Sequence, residues 1–343
     1  MSDAFSEVVG QPAAVAMLRA AVANPLPSYL LVGPAGCGAR TIATSFAAEL
    51  LAHETDDSER HRRLAVFEEH PDLIVFERNG PSLTVEQARE IVRAATTSPF
   101  EGKRKVILVE DIHLAFGAAP MILKVLEEPP PSTYFILTAE EIPAELATIA
   151  SRCTQIDIAA VSPQDLIELL LEAGIDEKRS SVIAAVSNGS IDRALLLGSD
   201  DAALERWTSW QQLRTTLDGS GNTATAAVDR LLAMIDDAAV PLQDRQDRER
   251  KELDERAERF GERGLGRRSL EDRHKRELRR LRTDELVMGI TAMGISIRDD
   301  VATGLIDAAR ASTSLIAVTK AADDLRRNPN ERLLLQKLFM NLH

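Results

Sequence analysis

The chain has 343 residues, length enough for two to three domains, and its 44% hydrophobic and 28% charged residues give it apolar material for real cores and exclude the disordered class. Aromatic residues are only 4%, which fits an Ala/Leu-rich helical protein better than an aromatic-rich β-sandwich. The net charge of −13 resides in residues 1–200, with 16 basic and 29 acidic groups, while residues 201–343 carry 25 of each, so the N-terminal half is a poor ligand for nucleic acid by itself, leaving open DNA contact inside a larger assembly.

The start, Met1 to Phe5, lacks a basic segment followed by an apolar core, so no secretory signal is read and a cytoplasmic protein is expected. Gly10-Gln11-Pro12 opens a helix with Val15, Leu18 and Val22 on one face. Ser28 to Val32 reads as a buried strand. It lies in the longest uncharged run, Ala20 to Ala39, whose prolines and glycines rule out a membrane helix. A helix is predicted over 41–51 and a strand over 72–76. Thr84-Val85-Glu86-Gln87 is a capping box, with Val85, Ala88, Ile91, Val92 and Ala95 forming the helix face behind it. Strands are predicted over 105–109, 134–137 and 154–158, and a helix opening near Pro120 stops at Pro129-Pro130-Pro131. Strands alternating with helices imply an α/β fold with a parallel, doubly wound sheet.

Beyond Ile158 the pattern is helical. Ser162-Pro163-Gln164-Asp165 caps a leucine-rich helix ending at Gly174, the next ends at Asn188-Gly189, and a third begins near Ser190. Trp207 and Trp210 are read as core. Asp244 to Glu285 holds 28 charged residues in 42, a solvated hairpin or arm, with Glu252–Arg256 and Glu255–Arg259 in favourable order and Gly261, Gly264 and Gly266 breaking the run. The excess of nine basic over three acidic residues in 263–282 admits a solvated face or a nucleic-acid or partner contact. Asn330 caps a last helix with Leu334, Leu335, Leu338, Phe339 and Leu342 as an apolar stripe.

The stretch Gly33-Pro34-Ala35-Gly36-Cys37-Gly38-Ala39-Arg40-Thr41 lies between a strand and a helix, where backbone N–H groups and a helix N-terminus cradle phosphate. Against the pattern G-x-x-x-x-G-K-[ST], Gly33 and Gly38 match, but Ala39 stands at the lysine position and Arg40 at the hydroxyl position. Ala39 brings no cation to the outer phosphates. Arg40 repels Mg²⁺ and has no ligand oxygen, and Thr41 comes one residue late. The strand 105–109 ends in Glu110-Asp111, the reverse of the Asp-Glu order expected of a metal-organising and water-polarising pair. The two departures read together as a decayed ATPase site, for which retained loop geometry without hydrolysis, passive nucleotide binding and residual hydrolysis stay open. The two cysteines, Cys37 and Cys153, are expected to be reduced thiols and are too few for a four-thiolate zinc site; no metal is expected, and His70 and His113 are read as structural.

Taken in order, Gly10-Gln11, the degenerate loop, His70-Pro71-Asp72-Leu73, Glu110-Asp111, Leu123 to Pro130 and Ser151-Arg152-Cys153 resemble the AAA+ subunits of the bacterial clamp loader, most of all the delta-prime type. The resemblance spans residues 1 to about 205 and is weaker beyond, where Asn328 to Arg332 is the main match. It departs from the gamma/tau type in its broken loop and in having no cysteine in 53–69, where that type carries a zinc module, and from delta in keeping Ser-Arg-Cys. It implies an AAA+ P-loop domain over 1–160, a helical lid domain over 161–205 and a helical C-terminal collar domain over 206–343. It also implies that Arg152 is an arginine finger acting in trans on a neighbour's ATP-Mg²⁺, that Thr138 and Arg193 sit at sensor positions, and that no cofactor is held at the chain's own loop. The partners implied are gamma/tau and delta subunits, the sliding clamp, the DNA polymerase III holoenzyme and, through the assembly, primed DNA, with no membrane. An active AAA+ ATPase such as a helicase loader, and a scaffold on a dead P-loop fold, are the alternatives.

Overall fold

The computed structural model describes residues 3–77, 82–115, 117–260, 267–325 and 329–342. They divide into two compact units, one running up to Gly198 and one from Ser199 onward.

The first unit is built on five strands, β1 (Ser28–Val32), β2 (Leu73–Phe76), β3 (Lys105–Val109), β4 (Thr133–Ala139) and β5 (Thr154–Asp157). They are parallel throughout and ordered β2-β3-β4-β1-β5. The central strands read as continuous apolar runs because both sheet faces are covered. Val106, Leu108 and Ile136 enter one core, while Ile107, Val109, Phe135 and Leu137 enter the other. Helices α1 (Pro12–Ala21), α2 (Ala39–Ala52), α3 (Ser58–Val66), α4 (Val85–Ala95), α5 (Ala119–Glu127) and α6 (Ala147–Ala150) complete these layers. This is the parallel, doubly wound sheet that the alternation of strands and helices predicts.

Local signals act as the sequence predicts. Thr84 and Gln87 exchange both hydrogen bonds of a capping box at the start of α4. Helix α2 begins two residues before the predicted start, because Gly38, at φ 87°, turns the chain directly into it. The segment 53–69, featureless in the sequence pattern, forms α3, capped by Asp57.

Helices α7 (Pro163–Glu172), α8 (Glu177–Ser187) and α9 (Ile191–Ser199) follow the sheet. Ser162 caps α7, and Asn188 and Gly189 end α8 at positive φ. These helices cluster with the sheet, so the compact units part at 198/199 rather than at 205/206; the latter point lies inside α10 (Asp201–Thr216).

The second unit comprises α10, α11 (Gly221–Phe260), α12 (Arg267–Ala302), α13 (Ala308–Leu325) and α14 (Glu331–Phe339). Trp207 and Trp210 are buried, as expected of core residues, and the indole of Trp210 meets the Phe339 ring edge-on. A Cβ on Gly289 of α12 would stand 2.0 Å from Trp210 Cε2. Gly289→Ala is therefore expected to destabilise this unit by about 1–3 kcal/mol through overpacking, against about 1 kcal/mol gained in helix propensity. Denaturation followed by tryptophan fluorescence checks it; an unchanged or raised midpoint contradicts the packing argument.

The charged stretch 244–285 is carried by the end of α11 and the start of α12. Arg245 pairs with Glu277 at 2.8 Å, Gln246 Nε2 donates to the His274 carbonyl and Glu277, and His274 meets Glu249 at 3.0 Å. Cross-helix polar contacts thus hold this hairpin. Gly261, Gly264, Gly266 and Asn328 lie outside the described residues, as do the side chains of Glu252, Arg256 and Arg259, so neither the Glu252–Arg256 nor the Glu255–Arg259 pair is described. The α14 stripe is buried at Leu334, Leu335, Leu338 and Phe339, with Asn330 capping through Leu333 N–H. Among the described residues no helix is long and apolar enough to cross a membrane.

Candidate functional site

The glycine loop leaves the C-terminal end of β1. Gly33 N–H donates to Ala139 O and Cys37 N–H to Pro34 O, which curls the chain back toward α2. Gly36 and Gly38 adopt positive φ, and Gly36 has a further reason to be glycine: a Cβ there would fall 2.1 Å from Ser190 Oγ. The Gly36 carbonyl accepts the Ile191 N–H at 2.7 Å, so the start of α9 docks on the loop. Cys37 is buried, and burial pushes its thiol up, opposed by the neighbouring Ala39 amide. In a working loop that same amide would face phosphate. Pro34 and Ala35 lie at the tip of the loop, and Thr41 is exposed on α2, away from it.

Arg40 decides the electrostatics. Its Nη1 donates to Glu110 Oε1 at 2.6 Å, and Nη2 lies 2.8 Å from Glu68 Oε2 and 2.7 Å from Glu77 Oε1. Burial works against its charge, and hydrogen bonds and attraction from Glu77, Glu110 and Glu68 more than offset it, so the guanidinium stays firmly protonated. Glu110 is buried at the end of β3, where a metal-organising acid belongs. A protein cation therefore meets that carboxylate. Neither Glu68 nor Glu77 stands out in the sequence: they come from the loop after α3 and the end of β2, and nothing in their local pattern announces the meeting.

Arg40→Ala removes the guanidinium that Glu68, Glu77 and Glu110 share. Carboxylate clusters suit hard divalent cations. Mn²⁺ is accordingly expected to stabilise Arg40→Ala against heat, by about 1.4 kcal/mol at tenfold excess over its dissociation constant, while wild type does not respond. Equal Mn²⁺ responses of the two proteins in thermal melts would contradict this.

Asp111, at φ 52°, turns the chain after Glu110, and its N–H donates to Thr138 Oγ1 at 3.2 Å. The hydroxyl on β4 thus anchors the end of the neighbouring strand. Arg193 Nη1 donates to Ser187 O at 3.1 Å within the helical segment, and burial lowers the pKa of its guanidinium.

Two sets of side chains come close enough to suggest an ion: His61, His70 and Glu101, and Asp111, His113 and Glu140. Their protons argue otherwise. His70 Nδ1 accepts the Asp72 N–H, so a neutral ring carries its proton on Nε2, which points at His61 Nδ1 at 2.6 Å. His113 Nδ1 likewise accepts the Glu140 N–H, leaving Nε2–H toward the Glu140 carboxylate. At His70 and His113 the nitrogen that would face the ion is therefore the protonated one. The acid of His-Pro-Asp serves the loop: Asp72 accepts from the N–H groups of Phe100, Glu101 and Gly102.

Arg152 lies elsewhere. It follows α6 and precedes edge strand β5, whose Thr154 pairs with Tyr29 near the start of β1. It thus sits at the opposite end of the strands from its own glycine loop, which begins after Val32, ~10 Å along. Nη1 donates to Thr148 O at 2.9 Å and Ser151 Oγ at 3.2 Å, and Nη2 pairs with Glu127 Oε1 at 2.5 Å. The side chain stays 35% exposed. Beside it, Ser151 Oγ donates to Thr148 O, and Cys153 packs on the core, where burial pushes its thiol up to about 12.

Residues 10–162 match the family described as DNA polymerase III, delta subunit. The chain is 32% identical over 173 residues to DNA polymerase III subunit delta' of Pseudomonas aeruginosa, covering 48% of this chain and 53% of that one. It is 31% identical over 213 residues to DNA polymerase III subunit gamma of Buchnera aphidicola, covering 56% and 57%. It is 33% identical over 149 residues to subunit delta' of Escherichia coli, covering 42% and 44%. The chain thus spans about half the length of these relatives. Among solved structures it is similar to a DNA polymerase III gamma subunit-related protein of Thermotoga maritima, at 14% identity and a TM-score of 0.47 over 95% of this chain and 97% of that one. Residues 10–162, which hold both the broken loop and Ser-Arg-Cys, are thus similar to DNA polymerase III subunits of the delta, delta' and gamma kinds.

Proposed function

We propose that this chain is a non-hydrolysing subunit of the clamp loader of a replicative DNA polymerase, and that it lends Arg152 to the ATP site of a neighbouring subunit. The observation that carries the reading is the Arg40–Glu110 ion pair. It places a guanidinium on the acid that would organise Mg²⁺, so hydrolysis at the chain's own loop lacks its metal. The docking of α9 on the loop, with the Gly36 carbonyl taken by Ile191, supports the same conclusion.

Arg152 is the complementary half. A guanidinium at the far end of the strands has no role at its own loop, yet it is part-exposed on a fixed turn. Phosphoryl transfer spreads charge over equatorial oxygens, and a fixed planar cation offsets that charge. In this reading the neighbour is a gamma/tau ATPase subunit; delta, the sliding clamp and primed DNA complete the assembly, in the cytoplasm. The chain itself needs no cofactor. ATP turnover of the reconstituted complex with and without Arg152, beside turnover of the chain alone, tests the reading. Hydrolysis by the purified chain would favour an autonomous AAA+ ATPase, and a complex indifferent to Arg152 would favour a scaffold.

A further inference from the structure

We infer that Glu127 is a positioning residue for Arg152, an inference that rests on the finger reading above. Glu127 is the last residue of α5, followed by Glu128 at the C-cap. A carboxylate there faces the negative end of the helix dipole, an unfavourable local position. Its compensation comes from 25 residues along the chain, where Arg152 Nη2 lies 2.5 Å from its Oε1. Both ends of the contact are fixed. Pro129, Pro130 and Pro131 follow the acid and stiffen its backbone. Arg152 N–H donates to Ile149 O and Cys153 N–H to Ala150 O, and Cys153 is packed on the core.

The guanidinium has five donors in a rigid fork. Thr148 O and Ser151 Oγ hold Nη1, and Glu127 draws Nη2. Among the described residues Nε–H has no hydrogen-bond partner, so the fork keeps an unused donor on a part-exposed side chain. Three contacts thus set the direction of a long side chain that would otherwise sample many rotamers. Two of them come from its own turn; Glu127 is the one from another element. Ordering the cation before it meets a neighbour's phosphate removes an entropic cost from the transition state.

The experiment is steady-state ATP turnover of the complex reconstituted from full-length chain and its clamp-loader ATPase subunit. It compares Glu127→Gln, Glu127→Asp, Arg152→Ala and the double variant Glu127→Gln/Arg152→Ala. Glu127→Gln should lower kcat about three- to tenfold with the KM for ATP within about twofold, since an immobilised side chain is worth that much and ATP binds elsewhere. Glu127→Asp should retain more than about half of wild-type kcat. In the Arg152→Ala background, Glu127→Gln should have no further effect. An unchanged or raised kcat in Glu127→Gln, or an equal loss in both backgrounds, overturns the inference while leaving the finger reading in place if Arg152→Ala is itself impaired. Full turnover in Arg152→Ala overturns the finger reading and this inference with it.

Discussion

Arg152→Ala in the reconstituted complex is expected to lower ATP turnover by about 10³-fold or more, the lower end of what a trans arginine supplies, equivalent to about 4 kcal/mol of transition-state stabilisation. Arg152→Lys should recover little, because an ammonium offers a point charge in place of a planar fork. Folding of the isolated chain should be unaffected. The Arg152–Glu127 pair is over a third exposed at each end, and exposed pairs contribute less than about 1 kcal/mol. A loss of turnover without a loss of thermal stability therefore separates a chemical role from a structural one. Assembly is checked by gel filtration of the variant complex; a fully assembled complex with unimpaired turnover contradicts the finger role.

The second large effect belongs to the helical unit. Arg206 of α10 and Glu285 of α12 are both buried, with Nε 3.0 Å from Oε2 and Nη2 2.9 Å from Oε1. Removing one partner strands the other charge away from water. Arg206→Met is expected to cost about 3–5 kcal/mol. Tryptophan emission reports it cleanly, since the chain's two tryptophans both lie on α10. Arg206→Met/Glu285→Leu should recover most of that stability, because neither charge is then left buried. A denaturation midpoint unmoved by Arg206→Met contradicts the buried-pair account, as does a double variant less stable than the single.

What the sequence determined by itself is everything that depends on near neighbours along the chain. The capping box at Thr84, the Ser162 and Asn330 caps, the apolar strands and the Gly33–Thr41 loop are local patterns, and each appears where the pattern put it. The chemical consequence of Arg40 in the loop was local too, since a guanidinium offers no ligand oxygen wherever the chain goes. The polar 53–69 segment was harder to read, because α3 draws support from α2 and the sheet rather than from a strong apolar stripe of its own.

Tertiary structure alone decided which charges meet. Arg40 gathers Glu68, Glu77 and Glu110 from three separate segments, and Arg152 finds Glu127 across a helix, a strand and two loops. The pairing of His61 with His70 and the fit of Gly289 under Trp210 are of the same kind. Periodicity encodes which face of an element is buried, because side chains repeat every two or 3.6 residues. It does not encode which distant side chain stands opposite. That depends on the crossovers that set the strand order and on where each loop delivers the chain, and at this protein's ion pairs those crossovers bring together residues that no sequence window contains.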